Sequence, residues 1–154
     1  MDIGDLLAPK GVVLRGGASS KRQALHALSE AASHALGIDD AKVFDALMER
    51  EALGSTGLGS GVAVPHARLA EIDKVTAVFV RLDMPVAYDA VDDRPVDLIF
   101  GLFAPPKAGA EHLRALAAVS RALRSPELRE QLRQAHTTDA VRALFVKDKA
   151  ATAA

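Results

Sequence analysis

Cysteine is absent from this chain, and so is tryptophan. Without thiols, disulfides, iron–sulfur clusters and thiolate zinc sites are excluded. Aromatic residues make up only 4% of the 154 residues, so Ala, Leu and Val must build the core. No apolar run approaches the ~18 residues that a membrane span needs. The start, Met1-Asp-Ile-Gly-Asp5, carries acid where a signal peptide carries base. Neither sign of charge dominates: 19 basic against 20 acidic residues leave a net charge of −1. The arginines are scattered along the chain and form no basic block, which argues against a nucleic-acid partner. These absences lead to the expectation of a soluble, cytoplasmic protein with no membrane insertion.

What is present fits one domain with a substantial core, since 49% of the residues are hydrophobic. Val12-Val13-Leu14 reads as a strand closed by Gly16-Gly17. Ser20 with Gln23 forms a capping-box pattern that opens a helix carrying Leu25, Leu28, Ala32 and Leu36 and stopping at Gly37. Asp39 or Asp40 caps the next helix, which packs Val43, Phe44, Leu47 and Met48 and ends beyond Arg50. Val75 to Leu82 and the nearly all-apolar Val96 to Phe103 read as strands, with Pro85-Val-Ala-Tyr-Asp89 a shorter extended piece. The last third is helical: one helix from Gly109 to about Arg124, one capped by Ser125-Pro126, and one capped by Thr138. Residues 147–154 have nothing to bury and read as a disordered tail. The order predicts a single α/β domain over residues 1–146, a mixed sheet flanked by helices.

The most informative stretch is Gly54-Ser-Thr-Gly-Leu-Gly-Ser-Gly-Val-Ala-Val-Pro-His66. Its glycines do not fit a nucleotide loop. No lysine lies between Gly54 and His66, as a P-loop requires, and the run leads into the short strand Val62-Ala63-Val64, not a helix. Pro65 stops that strand and places His66 at its end, beside backbone N–H groups expected to be free. A lone histidine there is commonly a hydrogen-bonded structural residue. It is equally placed to act as a nucleophile, with one ring nitrogen exposed and the other fixed by a backbone carbonyl. If the electrophile is a phosphoryl group, the glycine-loop N–H groups, the Thr56 hydroxyl and the Arg50 guanidinium are its candidate supports. Arg50 has a blander reading, as a cation answering the helix dipole. His112 opens a predicted helix, where an anion is favoured, but spacing alone does not bring it to His66. His26, His34 and His136 read as surface residues, and no histidine pair has metal-ligand spacing.

Arg50, the glycine run and Pro65-His66 together resemble the active-site signature of phosphotransferase-system enzyme IIA proteins of the fructose/mannitol type, nearest the nitrogen-regulatory branch. Pro85-Val-Ala-Tyr-Asp-Ala90, Arg94-Pro-Val-Asp-Leu-Ile-Phe100, Ala104-Pro105 and His112-Leu113 extend the resemblance from Leu6 to about Val146. It implies an α/β domain with a mixed, about five-stranded sheet and no metal or organic cofactor. It implies that His66 takes a phosphoryl group from a histidine-phosphorylated carrier protein, itself charged by an enzyme I using phosphoenolpyruvate. His112 is then the neighbouring histidine of the pocket, and Arg50 and Thr56 its polar supports. Two sequence departures stand out: Ser60 where Asn or an acid is common, and Ala67 where Gly is usual, the latter placing alanine where a left-handed backbone would strain it. Two functions follow from the resemblance. One is a regulator of targets such as potassium transporters or sensor kinases; the other is a sugar-specific relay to a IIB component. A degenerate binding domain is the third, against which the intact Arg50, Thr56, His66 and His112 stand.

Overall fold

The computed structural model describes the backbone of residues 2–153 and the side chains of residues 2–146. The chain opens with a single helical turn, α1 (Ile3–Leu6), and runs directly into the strand β1 (Leu7–Gly16). The helix α2 (Lys21–Leu36) starts where the Ser20 hydroxyl accepts the Gln23 N–H, and ends at Gly37, whose φ of 72° only glycine adopts without strain. The next helix, α3 (Asp40–Glu51), is capped by Asp39. Three short strands follow: β2 (Gly57–Gly59), β3 (Val62–Ala63) and β4 (His66–Arg68). The long strands β5 (Thr76–Val86) and β6 (Val96–Ala104) form the centre, and α4 (Gly109–Leu123), α5 (Pro126–Gln134) and α6 (Thr138–Ala153) complete the chain. The Ser125 cap and the Pro126 start of α5 are as expected. At α6 the capping hydroxyl is that of Thr137, which accepts the Ala140 N–H, in place of the expected Thr138. The expected tail at 147–154 lies outside the residues whose side chains are described.

The mixed sheet runs β1-β5-β6-β3-β2, and β4 also pairs with β6. It has six strands, one more than expected, because Val64-Pro65 splits a single run into two pieces. Both β3 and β4 lie parallel to β6, with Ala63 opposite Ile99 and His66 opposite Leu102. The piece beginning at Pro85 is the end of β5, reached after a register break between Arg81 and Val86.

Alternation along the central strands builds two cores. Phe79, Leu98, Phe100 and Leu102 face one side, against α1, α4, α5 and α6. Val78, Val80, Ile99 and Phe103 face the other, against α2 and α3. Phe79, Phe100 and Phe145 pack as an aromatic cluster with ring centroids 5.4 to 6.5 Å apart. The other three aromatics, Phe44, Tyr88 and Phe103, belong to the second core.

The loop from Tyr88 to Asp92 lies along β2. The Val91 N–H bonds the Gly57 carbonyl, and Asp92 Oδ2 accepts the Ser60 N–H at 2.9 Å. A side chain at Gly57 has no room: its Cβ would lie 2.8 Å from Ala90 Cα. Gly57→Ala must push backbone from backbone, and a loss of about 1–3 kcal/mol in folding stability is expected by urea unfolding. A variant as stable as the parent would show that the loop yields freely.

Candidate functional site

His66 is half-buried at the first residue of β4. Its Nδ1 lies 3.0 Å from the Val64 carbonyl oxygen, and Arg50 Nε lies 3.1 Å from its Nε2. A guanidinium has no acceptor, so the Arg50 Nε–H donates and His66 Nε2 accepts. The ring proton is thereby assigned to Nδ1, which donates to Val64. An imidazole held this way presents its lone pair on Nε2. Burial pulls the His66 pKa below its ordinary value; the Val64 bond opposes this, Arg50 adds to it and Glu51 opposes it.

Arg50 comes from the last turn of α3, and its Nη1 also donates to the Gly54 carbonyl at 2.9 Å. It serves the helix end and faces His66 at the same time. His112, in the first turn of α4, is only 6% exposed, and its ring stands edge-on to His66 with centroids 5.5 Å apart. The proximity comes from topology: β4 and β6 run parallel in register, and α4 begins five residues after β6 ends. Among the described residues, His112 Nε2 is the one buried side-chain atom without a hydrogen-bond partner. Burial, then His66, then Arg68 lower the His112 pKa. Arg68, on β4 two residues from His66, donates from Nη1 to the Pro106 carbonyl at 2.7 Å and so ties the strand to the turn before α4. Arg50, His66, Arg68 and His112 line an open cavity of about 450 Å³, with Leu53 and Leu113 exposed at its rim. Among the described residues, no group of three acidic or histidine side chains is disposed to hold a metal ion.

Three expectations change. The glycine stretch forms the β2–β3 hairpin and not an open cradle. The N–H groups of Gly54, Thr56, Gly57 and Ser60 are bonded to Glu51 O, Glu51 Oε2, Ser55 Oγ and Asp92 Oδ2 respectively. Thr56 is buried behind the site: its hydroxyl donates to Glu51 Oε1 and lies 3.1 Å from the Tyr88 hydroxyl. It does not line the cavity. The strain foreseen at Ala67 is absent, since that residue is ordinary strand; Ser60 instead takes the left-handed φ of 57°. His26, His34 and His136 are exposed, as expected.

Sequence reasoning missed Glu51, Tyr88, Lys21 and Arg68. Glu51 did carry a signal, since an acid in the last turn of a helix opposes the dipole and needs another reason to be there. Arg68 could have been found from strand alternation, which puts it on the same side as His66.

A mixed sheet between two helical layers, with an imidazole bonded by an arginine and set 5.5 Å from a second histidine ring, defines an enzyme IIA-type domain. The family model described as "Phosphoenolpyruvate-dependent sugar phosphotransferase system, EIIA 2" matches residues 5–148. The chain belongs to that family. It is similar to a nitrogen regulatory protein of Bradyrhizobium diazoefficiens, 41% identical over 141 residues and 92% of each chain. It is also similar to the crystal structure of nitrogen regulatory protein IIA-Ntr from Neisseria meningitidis, with TM-score 0.85, 37% identity, and 93% of this chain and 98% of that one covered. A fructose-specific EIIA component of Haloferax volcanii is 36% identical over 124 residues, 80% of each chain. Among the described residues, no helix is long and apolar enough to cross a membrane.

The two depressed histidines give the folded protein a pH dependence. In the unfolded chain each ring takes a proton near pH 6.5; in the folded protein each does so only at lower pH. Protons thus favour the unfolded chain, and stability held above pH ~6.5 is lost as pH falls through the folded values. Thermal midpoints measured between pH 7.5 and 5 should drop, and His112→Gln should flatten part of that drop. An unchanged slope in the variant would remove His112 from the account.

Proposed function

We propose that the chain accepts a phosphoryl group on Nε2 of His66 from a histidine-phosphorylated carrier protein. The reading holds further that it acts in the cytoplasm as a regulator whose partner binding follows the state of that ring. The observation that carries the reading is the His66 Nε2 lone pair, held by Arg50 Nε–H beside a His112 ring 5.5 Å away whose buried Nε2 has no partner.

The step balances without a cofactor. Arg50 Nε–H leaves the ring, and the Nε2 lone pair attacks phosphorus on the carrier. The new N–P bond forms as the carrier's N–P bond breaks, and that electron pair returns to the carrier's imidazole. A neutral attacking ring is needed, and the depressed pKa of His66 keeps it neutral at pH 7. The product adds roughly −1.5 to −2 charge by analogy with other phosphorylated side chains. Arg50 turns from His66 Nε2 to a phosphoryl oxygen, and His112 Nε2–H gains the acceptor it lacks. Arg68 supports this by holding the turn that precedes His112.

Similarity to nitrogen regulatory proteins supports regulation over sugar relay. Regulatory targets such as potassium transporters or sensor kinases then meet a rim, set by Leu53 and Leu113, whose centre changes charge. The fructose-specific relative supports a second reading, transfer from His66 to a IIB component.

Incubation with phosphoenolpyruvate, enzyme I and the carrier should give an acid-labile, base-stable phosphate on one site. His66→Ala should take up none, and Arg50→Ala should slow uptake on the order of 10²-fold. Normal labelling of His66→Ala would overturn the reading. Rapid discharge to a fructose or mannitol IIB component would favour the relay over the regulator.

A further inference from the structure

A carboxylate stands beside the site without touching its cavity. Glu51 is 9% exposed and ends α3 one residue after Arg50. Its Oε2 pairs with Lys21 Nζ at 2.9 Å and accepts the Thr56 N–H at 3.2 Å. Its Oε1 accepts the Thr56 hydroxyl and the Tyr88 hydroxyl, the latter at 3.3 Å. Tyr88 is fully buried, lies under the Lys21 ammonium at 4.8 Å, and takes the Ser55 hydroxyl on its own carbonyl. The main chain of Glu51 joins in, its carbonyl accepting the Gly54 N–H at 3.1 Å. One residue therefore grips both ends of the short segment from Gly54 to Thr56. That segment carries the Gly54 carbonyl, which holds Arg50 Nη1.

Stability alone is a weak reason for this arrangement. A buried ion pair replaced by apolar groups of similar size is often neutral or stabilising. Here the Thr56 N–H and hydroxyl and the Gly54 N–H tie Glu51 to the segment that aims Arg50, and a guanidinium displaced by about 1 Å loses much of its hold on a transferring group.

We propose that Glu51 is a positioning residue for phosphoryl transfer at His66, acting through the Gly54 carbonyl on Arg50. The proposal rests on the reading of His66 as phosphoacceptor, and its test separates the two. In Glu51→Gln, transfer from the phosphorylated carrier, measured in single turnovers at saturating carrier, should slow by roughly ten- to a hundredfold, with the half-saturating carrier concentration unchanged. The same substitution in an Arg50→Ala background should slow transfer less than twofold. An equal slowing in both backgrounds, or none in either, overturns the proposal.

Tyr88→Phe removes one donor to Glu51 and keeps the packing. It should give a smaller loss of the same kind, again only when Arg50 is present, and it decides the matter if Glu51→Gln does not fold. A readout free of phosphate completes the test. The Arg50 Nε–H should exchange slowly in the parent protein, held by His66, and rapidly in Glu51→Gln. Its persistence in the variant overturns the proposal even if transfer is slowed. If His66→Ala is labelled normally while this exchange difference is found, the phosphoacceptor reading fails and the positioning of Arg50 stands.

Discussion

The sheet breaks at Val64-Pro65, and the site depends on that break. Proline brings no N–H to the ladder, while its carbonyl still accepts the Leu102 N–H, so β6 stays paired across the gap. Pairing with β6 resumes at His66 in the same parallel sense. The Val64 carbonyl, between the two pieces, meets the imidazole two residues on. That single acceptor selects the tautomer, and the tautomer leaves the lone pair on Nε2. An unbroken strand would have left the Val64 carbonyl in a ladder and the ring unanchored.

Around the ring, burial and positive charge act in the same direction. Both histidines are pulled below their ordinary pKa, chiefly by burial, and cationic neighbours add to it: Arg50 at His66, and Arg68 at His112. Positive charge that discourages a proton favours an anion, so the environment that keeps the rings neutral would suit a phosphoryl group on the proposed acceptor. Arg50 has two acceptors in the resting protein, Gly54 O and His66 Nε2. Under the proposed transfer, only the second would be given up.

Local chemistry was readable from the sequence, and long-range pairing was not. The caps at Ser20, Asp39 and Ser125 and the stop at Gly37 depend on residues within four positions, and each is found as expected. Thr137 in place of Thr138 is a choice between neighbouring hydroxyls that the same local signal cannot separate. The glycine run and Thr56 were misjudged because Glu51 and Ser55 take three of the N–H groups and the Thr56 hydroxyl, Asp92 takes the Ser60 N–H, and Ala90 packs against Gly57 from more than thirty residues away. His112 needed the β4–β6 register before it could be set against His66. The same register explains why Ala67 is unstrained, and the hairpin turn explains why Ser60 is not.

Among the described residues, the two cores on opposite faces of the sheet share no side chains. Arg50 rises from the layer of α2 and α3, His112 from the layer of α4, and His66 from the strand between them. A group bound by all three is a rivet through a three-ply sheet. Such a group would clamp one outer ply to the other at that edge. A surface spanning α3 and α4 therefore bridges both outer plies where β4 begins.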